Sequence, residues 1–404
     1  MTPVQRRDLR LIALFRGVSF LGDSVALITL YLRLSHGGHA WRIAALSIAA
    51  ALPTVLLAPL AGFVVDNVPA KRLLTWLCAF EALVCVGIGL WHGTIATIAL
   101  MALLSVGVAF SFPGYTALVP TLTGDDNIAS GQSTMQAVQG VASTAGPAIG
   151  GLLVGLMGQS WPLYIDSFSF VLAGLGTWAL NTDRRPSPGH VRPKRGERDL
   201  LGGMRMLFGD SVLLPLVIAA AVFLLALATV NVAEVFFTTR TLHGSSLMYG
   251  LVGTSFGVGS IVGAVSASKL NQEPMRLIRT CLLGILIIGV FIGAIGLVEH
   301  VGYMFPLLAV AGFSVGIVNV AFMTLYAVRT PEHQRGQIFA AIGALFTSAE
   351  IGATALGGLI LTVVASRTVF QIAGVVSTLT VVILGPFALR SSRRAHALES
   401  AQGA

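Results

Sequence analysis

Long apolar runs separated by short polar stretches occupy most of this chain. Twelve runs hold about 20 or more mainly apolar residues, the length with which a helix crosses roughly 30 Å of hydrocarbon. The pattern predicts an all-α integral membrane protein with twelve transmembrane helices. The predicted spans are residues 9–33, 42–65, 73–91, 94–119, 132–156, 161–181, 212–238, 247–268, 276–298, 301–326, 337–365 and 368–390.

The composition agrees with a bilayer as solvent. Of 404 residues, 55% are hydrophobic and 10% are charged, whereas soluble domains average roughly 45–50% apolar and 25% charged residues. The longest polar stretch, residues 181–210, is rich in proline and basic residues, which favours a solvated linker. We therefore expect a six-helix bundle over 1–181, a linker over 182–211, a second six-helix bundle over 212–390 and a tail over 391–404.

The distribution of lysine and arginine predicts the orientation of the spans. With the N-terminus in the cytoplasm, 20 of the 25 basic residues fall in cytoplasmic segments and four in external ones. Cytoplasmic loops retain Lys and Arg in excess, so both termini are expected in the cytoplasm and the protein in the cell membrane. The net charge of +8 then requires no nucleic-acid partner, because basic loops face anionic lipid.

The positions of cysteine and histidine argue against a metal centre and against covalent catalysis. The three cysteines lie inside predicted spans, and the eight histidines lie in loops, tails or span edges. A membrane-embedded enzyme or receptor, the alternative from another class, would need a nucleophile with its base, or metal ligands, on facing helices. The sequence also lacks a phosphate-binding Gly-Lys-Ser/Thr loop, so ATP is not the evident energy source. No cofactor is expected.

The two halves share a ridge of small residues in their fifth helices. Such residues, spaced four apart, let another helix approach closely. Internal repeats in transporters place the substrate site between the halves near the bilayer midplane. The alternative is a packing ridge without functional meaning. The matching residues are Ala142, Gly146, Gly150 and Gly151 in the fifth span and Ala349, Ala353, Gly357 and Gly358 in the eleventh.

The loop between the second and third spans is too short to link two domains and predicts a hairpin. It carries Gly62, Asp66, Lys71 and Arg72. An acid at a helix end, facing a neighbour's positive N-terminus or a cation, forms a clasp that can break; the alternative is an ordinary interfacial charge. These residues resemble the loop between helices 2 and 3 of the major facilitator superfamily of transporters, where the acid is thought to latch the cytoplasmic side. Asn67, Pro69 and Ala70 depart from that family's pattern.

Two further stretches resemble exporters within this superfamily. Gly146, Pro147, Gly150 and Gly151 are similar to the fifth-helix signature of its drug and proton antiporters. A proline flanked by glycines leaves a thin, bendable segment suited to a moving contact between halves; the alternative is a packing kink. Residues 112–120 and 164–170 resemble the enterobactin-exporter and macrolide-efflux branch. The resemblance implies a transporter with two pseudo-symmetric six-helix bundles that works by export.

Ionisable residues inside spans are costly and are candidates for function. Asp23 lies seven residues after Arg16, hence on the same helix face and about 10 Å further along the first span. Burial favours the protonated form of a carboxyl group, whereas a substrate cation or a guanidinium favours the charged form. Competition between a proton and a substrate for one carboxyl group is the basis of antiport. Asp23 is the first proton-coupling candidate, with a structural ion pair to Arg16 or another helix as the alternative. Glu350 and Glu81 are the second and third candidates.

By family analogy, the first, fourth, seventh and tenth spans line the substrate cavity. Together with Asp166, for which a hydrogen-bonding or gate role is expected, the cavity candidates are Phe112, Tyr115, Asn231, Glu234, Asn319, Met323 and Tyr326. The alternative for Glu234 is a solvated side chain near the end of its span that has no role in the cavity. The expected function is export of amphipathic small molecules by proton antiport from a monomer, and the alternative is an uptake carrier or facilitator.

Overall fold

The computed structural model describes residues 3–35, 39–124, 128–182, 213–267, 273–329 and 335–402. Within these ranges the chain forms twelve α-helices of 18 to 37 residues and no strand. Ten of the helices are long and apolar enough to cross a membrane. The all-α membrane architecture predicted from the apolar runs is thus confirmed.

The helices of the first half lie close to the predicted spans. The predicted linker falls outside the described residues except for Thr182. The helices are α1 (Pro3–Ser35), α2 (Ala40–Asn67), α3 (Ala70–Leu90), α4 (Thr94–Thr123), α5 (Ile128–Met157) and α6 (Trp161–Trp178).

The second half repeats the plan with six more helices. A π-helical turn, Phe237–Thr241, extends the first of them, and a 3-10 turn, Val301–Tyr303, precedes the fourth. The last helix continues past the predicted end at residue 390. The helices are α7 (Leu213–Phe236), α8 (Ser246–Ala267), α9 (Pro274–Ile295), α10 (Met304–Arg329), α11 (Arg335–Ile360) and α12 (Ser366–Gln402).

The chain divides into two compact units. Unit 1 comprises Met1–His190 together with Gly244–Thr254, and unit 2 comprises Val191–His243 together with Ser255–Ala404. The first turns of α8 therefore belong to unit 1 and the rest of this helix to unit 2. This division of one helix was not expected from the sequence, which assigned the eighth span entirely to the second bundle.

Unit 1 is built around α1, α3, α4 and α6. Helix α1 packs on α5 and α6, α3 packs on α4 and α6, and α2 packs on α4. A buried apolar cluster near one end includes Ile12, Leu74, Tyr115 and Leu118. The connection from α2 to α3 consists of Val68 and Pro69 alone, which confirms the predicted hairpin.

Glycines line a close contact between α8 and α10 in unit 2. A Cβ atom at Gly259 or Gly263 would collide with the backbone of Ala309 or Phe313 in α10. Gly312 of α10 meets the backbone of Phe256 in α8 in the same way. Contacts of this kind let two membrane helices gain dispersion energy over their whole backbones. Around them, α9 packs on α10 and α12, and α7 packs on α11 and α12.

Candidate proton and substrate sites

A cluster of polar side chains lies buried inside unit 1, and Arg16 of α1 is at its centre. The Arg16 Nη1 donates a hydrogen bond to Ser19 Oγ at 2.7 Å. Its guanidinium lies 4.4 Å from the ring centroid of Phe20 and 4.9 Å from that of Tyr115. These aromatic faces attract the cation. Arg16 is thus held largely by rings and a hydroxyl, with its Nε lacking a hydrogen-bond partner among the described residues.

Glu81 of α3 is sealed in the same cluster. Its side chain is 0% exposed, and its Oε1 accepts a hydrogen bond from Ser111 Oγ of α4 at 2.7 Å. Gly107 faces it so closely that an added Cβ would lie 2.8 Å from Glu81 Cγ. Glu81 therefore has one fixed partner through Oε1, whereas its buried Oε2 has no hydrogen-bond partner among the described residues. Ser111, which the sequence reasoning missed, is its anchor.

Asp166 of α6 is also enclosed, and it forms hydrogen bonds. Its side chain is 0% exposed, Cys85 Sγ donates to its Oδ2 at 3.3 Å, and Ser169 Oγ donates to its Oδ1 at 3.2 Å. The backbone of Gly22 fits against this carboxylate and leaves no space for a side chain. Asp166 therefore joins α1, α3 and α6 in the core.

Two aromatic cavity candidates are likewise core residues. The hydroxyl of Tyr115 lies 3.0 Å from Thr177 Oγ1 and 3.4 Å from Cys78 Sγ. Tyr326 of α10 is completely buried against Phe322, with ring centroids 4.7 Å apart. Both side chains turn into the cores of their units, and their role in lining a substrate cavity stays a prediction. Phe112 of α4, in contrast, is exposed.

Asp23 differs from the other described acids of unit 1 that lie within spans. It follows Gly22 in α1, its side chain is partly exposed, and it forms no hydrogen bond and no ion pair within 4.0 Å in the described parts of the chain. Arg16 still lies within electrostatic range of both Asp23 and Glu81. The alternative of a direct Arg16–Asp23 ion pair is not realised in this structure. Asp23 is therefore a partly accessible carboxyl group under the influence of a buried cation.

The loop between α2 and α3 has a role that its sequence did not indicate. The Lys71 Nζ donates a hydrogen bond to the carbonyl oxygen of Leu180 at 2.8 Å, just beyond the end of α6. Asp8 Oδ2 of α1 accepts bonds from the backbone N–H groups of Asn181 at 3.1 Å and Thr182 at 2.9 Å. Lys71 and Asp8 together fix the exit of the chain from α6.

Two other predicted residues of the loop are exposed. Gly62 is exposed, with no atom within 4 Å of a Cβ placed on it, and Arg72 is exposed as well. The side chain of Asp66, the predicted clasp, lies outside the part of the structure that is described. Sequence reasoning missed Asp8, whose only signal was a single acid among the basic residues that begin the chain.

The glycine-proline segment of α5 is packed on both sides within unit 1. Gly146 and Gly150 lie against Ser24 and Val25 of α1. On the other side, the backbone around Gly151 meets the first turn of α8 at Ser246, and Pro147 O meets Gly250. The predicted thin segment is thus a close crossing of three helices in which backbone touches backbone.

In unit 2, the candidates on α7 and α10 lie on faces that the neighbouring helices leave open. Asn231 is exposed and Glu234 is partly exposed on α7, while Asn319 and Met323 are exposed on α10. Polar side chains within spans face the protein interior or a water-filled cavity rather than lipid. The side chain of Glu350, in α11, lies outside the described residues.

Comparison with known proteins places this arrangement in a family. The chain matches the profile of the Major Facilitator Superfamily over residues 12–353 and 242–404. The chain belongs to the Major Facilitator Superfamily. Solved structures with this fold include a bacterial homologue of the iron transporter ferroportin in an inward-facing state. The TM-score is 0.70 and the sequence identity is 16%, and the match covers 97% of this chain and 100% of that chain. An inward-facing, occupied bacterial homologue of the human lysosomal transporter Spinster has a TM-score of 0.70 and 14% identity over 97% and 98%.

Curated relatives of this superfamily member carry the names of efflux proteins. The multidrug efflux pump Tap of Mycolicibacterium fortuitum is 23% identical over 85% of this chain and 87% of its own length. The enterobactin exporter EntS of Citrobacter koseri is 29% identical over 70% and 64%. Macrolide efflux protein A of Streptococcus pyogenes is 19% identical over 81% and 84%. The predicted family is confirmed, as is the resemblance to efflux proteins of this kind, and the chain is a multi-pass membrane transporter.

Proposed function

We propose that this transporter exports amphipathic small molecules by proton antiport, as a monomer in the cell membrane with both termini in the cytoplasm. The observation that carries the proposal is Asp23, a partly exposed carboxyl group in α1 without an ion pair in the described structure. The names of three relatives, all efflux proteins, support the direction of transport. The excess of basic residues on one side of the predicted spans supports the orientation.

Asp23 has what a reversible proton site requires. An acid that is locked in an ion pair releases its partner only at a large free-energy cost, whereas Asp23 has no such lock here. Arg16 is held by Ser19 and by two aromatic rings, so its charge stays in place when Asp23 gains or loses a proton. A proton that enters from outside would neutralise Asp23, and the charged form would be restored by release on the cytoplasmic side.

The contact of α5 with the start of α8 supports local sliding of two helices within unit 1. It includes close backbone contacts at Gly151 and Gly250 and a hydrogen bond from Ala148 N–H to Thr254 Oγ1. Two smooth surfaces can separate without unlocking long side chains, so little rotamer entropy changes. We propose that this local sliding accompanies the alternation of access that secondary transporters need.

The test uses proteoliposomes that hold a pH gradient and a panel of fluorescent lipophilic compounds. We expect uphill movement by the wild type, its loss with a protonophore, and its loss in Asp23→Asn. Glu81→Gln and Asp166→Asn are matched controls, because each removes a membrane acid that is enclosed and already hydrogen-bonded. Retained uphill transport in Asp23→Asn, or its loss only in Glu81→Gln, would assign the proton to another group.

The direction of substrate transport is tested separately in intact cells of an efflux-deficient host. Export predicts lower accumulation of the compound when the wild type is expressed, and restored accumulation with a protonophore. Higher accumulation with the wild type would instead indicate an uptake carrier or facilitator. Absence of any gradient-driven movement, alongside an active reference antiporter in the same vesicles, would refute proton-coupled transport.

A further inference from the structure

A second carboxyl group, in unit 2, has a setting that the proton-coupling role of Asp23 does not explain. Glu234 lies near the end of α7, and its neighbours Ala233 and Val235 are completely buried, whereas its own side chain is partly exposed. It is the one carboxylate within a span of unit 2 whose side chain is described. In the described parts of the chain it accepts no hydrogen bond and forms no ion pair within 4.0 Å.

The face of α7 that carries Glu234 is polar and open. Asn231, three residues earlier and therefore on the same face, is exposed. Other faces of the helix are covered: Thr229 packs against Gly357 of α11, and Phe237 lies 5.0 Å from the ring of Phe370 in α12. Because a polar strip on a membrane helix avoids lipid, this face borders an aqueous space.

The backbone beside Glu234 is held in an unusual form. The chain leaves α7 through the π-helical turn Phe237–Thr241, in which Leu242 N–H donates to Phe237 O at 2.9 Å. Such wide turns occur frequently at functional sites. Thr239 Oγ1 bonds to Val235 O at 2.6 Å, and Thr241 Oγ1 lies 3.1 Å from Ser366 Oγ of α12. These contacts fix the end of α7 and hence the position of Glu234.

The basic residues near this end of α7 contact other groups. The Arg240 guanidinium lies 5.7 Å from the ring of Phe236. Arg367 donates to Val298 O at 3.0 Å and lies 5.8 Å from the ring of Phe237. Neither forms an ion pair with Glu234. A carboxylate in a span is stabilised by a nearby cation, and no described side chain supplies one.

We propose that Glu234 binds the positive charge of a cationic amphipathic substrate, with the Asn231 amide as a neighbouring hydrogen-bonding group. This inference rests on the proposed function, and it specifies the substrate class as organic cations. It also separates two roles by unit: Asp23 of unit 1 exchanges the proton, and Glu234 of unit 2 recognises the substrate. An uncharged amphiphile would then be moved without help from Glu234.

The test measures binding to purified protein in detergent, which needs no gradient. Fluorescence titrations compare a permanently cationic dye, ethidium, with an uncharged fluorescent amphiphile. We expect Glu234→Gln to raise the dissociation constant for ethidium by about tenfold or more, the scale of one lost contact to a charged group. The dissociation constant for the uncharged compound should not change. Glu234→Asp keeps the charge and should retain most of the ethidium affinity.

Glu273→Gln is the matched control, because it removes a carboxylate from an exposed pair with Arg276, at 2.8 Å, outside the spans. It should leave both affinities unchanged, which excludes an effect of net charge alone. Thermal unfolding of each variant checks that it folds. A variant of Glu234 that does not fold is replaced by Asn231→Leu, which should weaken ethidium binding selectively.

The other possible results of the binding titrations contradict either this inference or the proposed function. Equal weakening for both compounds, or no weakening for either, would show that Glu234 does not recognise the cation. Wild-type binding of the uncharged compound alone would refute the inference and leave the proposed exporter in place. If the wild type binds neither compound and moves none across proteoliposomes, the proposed function itself is wrong.

Discussion

The backbone N–H of Ala148 donates a hydrogen bond to the hydroxyl of Thr254 at 3.1 Å, one residue after Pro147. It joins α5 to the start of α8 within unit 1. Thr254→Val keeps the shape of the side chain and removes the hydroxyl that accepts this bond. We expect a destabilisation of about 1–3 kcal/mol, measured as a lower midpoint of thermal unfolding in detergent. Thr254→Ser, which keeps the hydroxyl, should remain close to the wild type; equal losses in both variants would argue against this bond.

Two glycines of α5 should respond oppositely to the same substitution. Gly151 is in backbone contact with Ser246 of α8, whereas Gly140 has no atom within 4 Å of an added Cβ. Gly151→Ala forces the helices apart and should destabilise by about 1–3 kcal/mol, with a matching loss of transport. Gly140→Ala should stabilise by up to about 1 kcal/mol, because alanine is the better helix former. Thermal unfolding and transport rates of the two variants, measured side by side, check this. A change in stability of the same sign in both variants would contradict the close crossing.

Asp8 should matter for stability although it lies at the start of the chain. Its Oδ2 accepts from the backbone N–H groups of Asn181 and Thr182, and the side chain is completely buried. Asp8→Ala leaves both groups without that acceptor and should cost about 2–4 kcal/mol, as charged hydrogen bonds contribute about 1.5–3 kcal/mol each. Asp8→Asn keeps one acceptor oxygen and should lose less. Thermal unfolding ranks the variants, and an Asp8→Ala midpoint equal to the wild type would refute the role.

Two arginines with different surroundings should differ in their effect on stability. The buried Arg33 donates to Ile88 O at 2.7 Å and to Gln159 O at 2.9 Å, thereby joining the ends of α1, α3 and the connection after α5. Arg33→Gln should destabilise by about 2–3 kcal/mol. Arg276→Gln removes an exposed ion pair with Glu273 and should change stability by less than about 1 kcal/mol. The denaturation midpoints of both variants measure these losses of stability. A larger loss of stability in Arg276→Gln than in Arg33→Gln would contradict the assigned contacts.

Much of the fold could be predicted because the bilayer imposes one strict rule. Backbone groups in hydrocarbon must be satisfied within a helix, so the length of an apolar run by itself predicts a span. The hairpin between the second and third spans, and the close approach of another helix to the small residues around Pro147, were predicted from local residues. Asp23 could also be singled out, because a charged group within a span is rare.

The roles of individual polar residues could not be read in this way, because helical periodicity does not say what faces a given side. Asp166 and Tyr115 were expected near a cavity, and the packing of α3, α4 and α6 encloses both. Lys71 was predicted as part of a gate loop, and the sequence did not indicate its bond to Leu180 O, more than 100 residues away in the chain.

The sequence by itself thus determined the membrane class, the twelve helices, the family resemblance and the acids worth testing. Only the tertiary structure decided which acids are enclosed, as Glu81 is by Ser111 and Gly107, and which stay open, as Asp23 and Glu234 do. The physical reason is that apolar run length is a property of one segment in its solvent. The environment of a carboxyl group, in contrast, is created by residues that are distant in sequence and meet only when the helices pack.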